Sequence, residues 1–152
     1  IRVTVTERVP AAIVRLAGGD VLIDEDANIL ASARYPEEHL PFILVGWDEA
    51  KTEKASKENL ERLTMYRKML GDWQQFNLAS RIKLVNMTDL RDPRAVTVDS
   101  GQPVSIAVGR SDFAEQLKKG ITAIVGKGQT FEAVNLVGQN MILAPRRASG
   151  AK

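Results

Sequence analysis

Ser56-Lys57-Glu58-Asn59-Leu60-Glu61-Arg62-Leu63-Thr64-Met65-Tyr66-Arg67-Lys68-Met69-Leu70-Gly71-Asp72-Trp73 sets the frame for the whole chain. Leu60, Leu63, Tyr66, Met69/Leu70 and Trp73 recur at spacings of three and four, so they form one apolar stripe on a helix about four turns long. Ser56 is the expected N-cap. Glu58, Glu61, Arg62, Arg67 and Lys68 fill the other faces. Gly71 weakens the pattern by about 1 kcal/mol relative to Ala. The charged, aperiodic run from Asp48 to Ser56 reads as a loop leading in.

On both sides of this helix the apolar period drops to about two, the strand period. Upstream, Arg2–Arg8 alternates and is rich in β-branched residues, and Pro10 interrupts it. Ala12–Leu16, Val21–Asp24, Ile29–Ala31 and Leu40–Gly46 read as further short strands. Gly18-Gly19-Asp20 and Glu25-Asp26-Ala27-Asn28 are turns, with Asn28 or Asp26 expected to take a left-handed backbone. Downstream, Arg81–Met87, Ala95–Val98 and Val104–Val108 read as strands. Ser111 is the expected cap of a second helix carrying Phe113, Leu117, Ile121 and Ile124, which Gly126-Lys127-Gly128 ends. Phe131–Leu136 and Asn140–Leu143 close the chain as strands. Short turns dominate. The expected fold is therefore α+β: a mostly antiparallel sheet of about seven to nine strands, with two main helices packed on one face.

The 152 residues are enough for one domain with its own core. Hydrophobic residues at 44% and charged residues at 26% are ordinary globular composition. Lys+Arg at 21 against Asp+Glu at 19 leaves a net charge of +2, which gives no support to nucleic-acid binding. No cysteine is present, which excludes disulfides, thiolate metal sites and Cys nucleophiles. The single histidine, His39, lies in a loop between Glu38 and Leu40 and reads as solvated. No apolar run approaches the roughly 18 residues of a membrane span. The chain starts at Ile1, already in strand pattern, and reads as a piece of a longer protein.

Each candidate for chemistry has a simpler reading beside it. Asp24, Glu25 and Asp26 lack the alternating ligand spacing of a calcium loop, and read as a charged turn. Gly126-Lys127-Gly128-Gln129-Thr130 follows a helix and precedes a strand, the reverse of a phosphate loop, and reads as a helix stop. Trp73 belongs to the apolar stripe. Trp47 stays open between core and stacking residue. With one histidine, no cysteine and no defensible carboxylate pair, the chain reads as non-catalytic and without cofactor or metal.

The final hairpin is different, because no later element can cover it. Two readings are open from the residues alone. If the last strand is an edge, its free N–H and C=O groups are a template for another chain's strand. Alternatively, Pro145, Arg146 and Arg147 blunt that edge.

Several segments in order resemble one family. Val3-Thr4-Val5-Thr6-Glu7-Arg8-Val9-Pro10-Ala11-Ala12 is similar to the V-x-V-x-E-R-x-P-x-A opening of the β-domain in the bacterial cell-division family FtsQ/DivIB. Leu22–Leu30 resembles its l-v-D-x-x-G-x-v-l hairpin, Leu40-Pro41 with Gly46 its L-P-x-x-x-G step, and Gly109, Arg110 and Leu117 its G-r-x-x-x-x-x-L segment. Val134-Asn135-Leu136 stands where the family usually reads V-D-L-R, and Ala144-Pro145 resembles its closing strand. Ala27 departs from the usual Gly, and Asn135 and Val137 from the usual Asp and Arg.

The resemblance implies a β-domain over residues 1–145 and a flexible tail over 146–152. It implies the periplasmic part of a single-pass inner-membrane protein at the division septum, with the anchor and POTRA domain outside this sequence. The implied role is a non-catalytic divisome scaffold, monomeric alone, that recruits FtsB/DivIC-like and FtsL-like proteins. The implied partner site is the last strand: Val137, Gly138, Gln139, Asn140, Met141, Ile142 and Leu143. A charge at Met141 or Leu143 is then expected to weaken partner binding without unfolding the domain. The alternative is a cell-envelope module binding peptidoglycan or sugar through Trp47.

Overall fold

A computed structural model describes residues 10–32, 40–137 and 140–146. The expected strand at Arg2–Arg8, His39, Gly138, Gln139 and residues 147–152 lie outside the described residues. Along the chain run β1 (Ala12–Leu16), β2 (Gly19–Ile23), β3 (Ile29–Ser32), β4 (Ile43–Val45), α1 (Glu53–Gln75), β5 (Ile82–Asn86), β6 (Arg94–Asp99), β7 (Gln102–Ala107), α2 (Phe113–Ile124), β8 (Phe131–Val137) and β9 (Asn140–Pro145). The strands form one nine-stranded sheet in the order β3-β2-β1-β4-β5-β6-β7-β8-β9. The pairs β1–β2, β2–β3, β5–β6, β6–β7 and β8–β9 are antiparallel, each joined by a short connection. The pairs β4–β5 and β7–β8 are parallel because a helix carries the chain across between them. β1–β4 is also parallel. The fold is α+β, mostly antiparallel, as the periodicity implies.

One cross-strand row shows where the core sits. Val14, Leu44, Val85, Ala95, Ile106, Val134 and Leu143 are successive register partners across seven strands. All but Leu143 are buried, and Leu143 packs against the core from the sheet's end. α1 and α2 pack against each other, with α2 over β7, β8 and β9 and α1 over β1. The row lies on their side, because a Cβ added at Gly120 of α2 would collide with Ile106 Cγ2. Only glycine lets α2 approach β7 this closely.

Two aromatics of α1 lock the layers. The Phe42 ring lies 4.8 Å from Tyr66 and 5.2 Å from Trp73, and all three are fully buried. Tyr66 Oη donates to Phe42 O at 2.6 Å, and Trp73 Nε1 donates to Phe113 O at 3.0 Å. Their polar atoms are thus satisfied inside the core. Trp73 is a core residue, in line with its place on the stripe.

Three local expectations are corrected. α1 begins at Glu53, where Thr52 Oγ1 accepts the Ala55 N–H at 3.0 Å, so Ser56 is an interior residue and not the cap. A capping hydroxyl needs no apolar periodicity beside it, which is why the charged run hid it. Leu60 faces outward at 45% exposure, and Asn59 and Arg62 take the buried positions. At α2 the capping position falls on Asp112, with φ 54°, and no side chain closes the first turn; Ser111 does not cap.

Candidate functional site

Among the described residues β9 is the last strand of the sheet, with β8 on one side and no strand on the other. Its register with β8 runs Val137–Asn140, Leu136–Met141, Asn135–Ile142, Val134–Leu143, Ala133–Ala144 and Phe131–Pro145, and the irregularity lies on the β8 side. The Arg146 N–H donates toward β8, to Thr130 O, at 2.7 Å. Backbone groups alternate sides along an antiparallel strand. The N–H and C=O of Ala144, Ile142 and Asn140 therefore point into the ladder, and those of Met141 and Leu143 point to the open edge. Pro145 falls on the open side, where its missing N–H removes no ladder bond.

Side chains divide the same way. Met141 and Leu143 pack against the core under the helices, whereas Asn140 is exposed and Ile142 is 48% exposed on the opposite face. A charge at Met141 or Leu143 would therefore disturb packing as well as any partner, and Ile142 is the position where a charge tests binding alone. Val137 contributes its backbone pairing with Asn140. Asn135 accepts from Arg94 Nη2 at 2.7 Å, and Arg94 Nε donates to Asp92 at 2.9 Å.

Arg146 is tied to the body of the domain. Its guanidinium donates to Gly128 O at 2.7 Å, to Pro103 O at 2.8 Å and to Phe131 O at 3.3 Å. The arginine turns back over the body of the domain, and among the described residues none pairs with the edge beside Met141 and Leu143.

The other sequence candidates resolve into structural roles. The Asp24 carboxylate accepts the N–H groups of Asp26 and Asn28 at 2.9 and 2.8 Å, which makes the acidic cluster a turn. The N–H groups of Gly126 and Gly128 donate to the Asp99 carboxylate at 3.0 and 2.7 Å. The glycine loop after α2 thus holds an anion, and that anion is the protein's own. These bonds, first that from Gly126, hold the Asp99 carboxyl below its ordinary value despite partial desolvation. Among the described residues, no group of three or more acidic or histidine side chains could hold a metal ion.

Trp47 proves to be both core and surface. It packs against the core and also lines an open groove of about 640 Å³ between the β2–β3 turn and the start of α1. Ile29 and Leu60 flank this groove at 61% and 45% exposure. Neither stood out in the sequence, because both fit an inward-facing period. No protein family matches the chain, and no curated protein matches it at a significant level.

Proposed function

We propose that this domain is a non-catalytic scaffold of the FtsQ/DivIB kind, which recruits FtsB/DivIC-like and FtsL-like proteins during septum formation by adding a partner strand to β9. It would act at the periplasmic face of the inner membrane, as part of a membrane-anchored protein. The observation that carries this reading is the edge position of β9 among the described residues, with the N–H and C=O of Met141 and Leu143 directed outward. Main-chain bonds would supply affinity, and the exposed Ile142 would supply part of the register.

The test is amide chemical-shift mapping with a soluble FtsB-type periplasmic segment. Shifts are expected along β8 and β9. Met141→Pro removes an outward N–H and leaves every inward ladder donor intact. It is expected to weaken binding by roughly tenfold, the equivalent of one to two backbone bonds. Ile142→Lys is the companion variant, with an intact core and weaker binding. Binding unchanged in both variants, or shifts confined to the far end of the sheet, would sink the strand-addition reading.

A further inference from the structure

The groove beside Trp47 lies at the opposite end of the sheet from β9. Seven strand steps separate β2 from β9, on the order of 35 Å at the usual interstrand spacing. Its apolar lining includes Trp47, Leu16 and the exposed Ile29 and Leu60. Its ionisable lining is one-sided. Among the described residues, Asp26, Asp48, Glu49 and Glu53 line it with one basic residue, Lys51.

The groove is built from beneath. Asn59, 7% exposed, accepts the Asp48 N–H at 3.0 Å and returns a bond to Asp48 O at 2.8 Å. The buried Arg62 guanidinium braces Asn59 Oδ1 at 2.9 Å and Met87 O at 2.9 Å. The segment carrying Trp47 and Asp48 is therefore fixed to α1 before anything binds. On the facing side, Glu49 is pinned by the Ala17 N–H at 2.9 Å.

We propose that this groove docks a cationic segment of a partner protein: a peptide in which an apolar side chain is flanked by lysine or arginine. The apolar residue covers Ile29 and Leu60, and the cation lies against Trp47 within the carboxylate rim. Charge complementarity selects this occupant. Acidic wall peptides would meet the four carboxylates, and aliphatic Ile29 and Leu60 offer no flat face for a sugar. The volume suits two or three side chains of a linear peptide. The proposal stands apart from the strand-addition reading, since its signals arise on different elements.

The test is a titration of the labelled domain with a blocked Gly-Lys-Leu-Lys-Gly pentapeptide, followed by amide and indole signals. Trp47 reports the groove, and the fully buried Trp73 is an internal control. The Trp47 indole and the amides of Ile29 and Leu60 are expected to shift, with Trp73 and β9 unmoved. Asp26→Asn combined with Glu53→Gln is expected to weaken binding about fivefold, and added salt to weaken it further. Ile29→Ser tests the apolar half with the charges kept. Equal shifts with the Glu-for-Lys peptide would overturn the proposal. So would no shift at Trp47, a shift at Trp47 with chitin oligosaccharides in place of the pentapeptide, or groove signals that move with protein concentration alone.

Discussion

Asp24 and Ala27 divide the work of one hairpin turn. Asp24 gathers the N–H groups of Asp26 and Asn28, and Ala27 takes the left-handed backbone at φ 67°. The sequence points to Asn28 or Asp26 for that conformation, on the ground that their side chains tolerate it. The carboxylate at Asp24 decides otherwise, because its bonds to both neighbours leave Ala27 as the residue that must turn. Ala27→Gly is expected to stabilise the domain by about 0.5–1 kcal/mol, the left-handed penalty of Ala less the added freedom of unfolded Gly. Urea midpoints at a constant slope check it; a lower midpoint would show that Ala27 packing outweighs its backbone. Asp99 gives a pH signature at the same scale. Its carboxyl is depressed in the fold, so its contribution is present above the unfolded value of about 3.9 and is lost as pH falls through the folded value. Asp99→Asn is expected to be less stable than wild type at pH 7, with the gap closing below about pH 4. A gap that does not change with pH below 4 would assign the effect to geometry and not to charge.

Two helix glycines carry opposite consequences. Gly71 lies exposed inside α1 with nothing near a Cβ, so Gly71→Ala is expected to raise stability by about 1 kcal/mol. Gly120 sits on Ile106, so Gly120→Ala is expected to cost about 1–3 kcal/mol as α2 is forced off β7. Thermal midpoints of the two variants moving in the same direction would contradict this account of how α2 packs. The helices and hairpins themselves are legible as periodicity, because burial on one face imposes it. The exact face of α1 is not. Asn59 and Arg62 are buried since they bond Asp48, Met87 and Thr88, and those partners come from distant loops. A polar residue whose partners are non-local reads as a surface residue until the fold is known.

At the scale of the molecule, strand order is what the sequence withholds. β4 pairs with β1 and β5, so the sheet's centre joins residues far apart in sequence, and among the described residues the two edges fall to β3 and β9. The two readings of Pro145 and Arg146 separate only in three dimensions. Pro145 keeps an outward position, and Arg146 ties the end of β9 to the β6–β7 hairpin through Pro103, to the loop after α2 through Gly128, and to the start of β8 through Phe131. A fork of donors spanning three carbonyls is a task for guanidinium, and one ammonium cannot reproduce it. Arg146→Ala is expected to destabilise the domain by about 1–2 kcal/mol. Its effect should concentrate at one end of β9: faster exchange of the ladder amide of Ala144, with the ladder amides of Ile142 and Asn140 progressively less changed. Arg146→Lys should recover little of this. If strand addition on β9 requires a fixed edge, partner affinity should fall in both variants in step with that local opening. Exchange rates along β9 equal to wild type in Arg146→Ala would show that the β8 ladder alone holds the edge, and that the arginine is a surface contact.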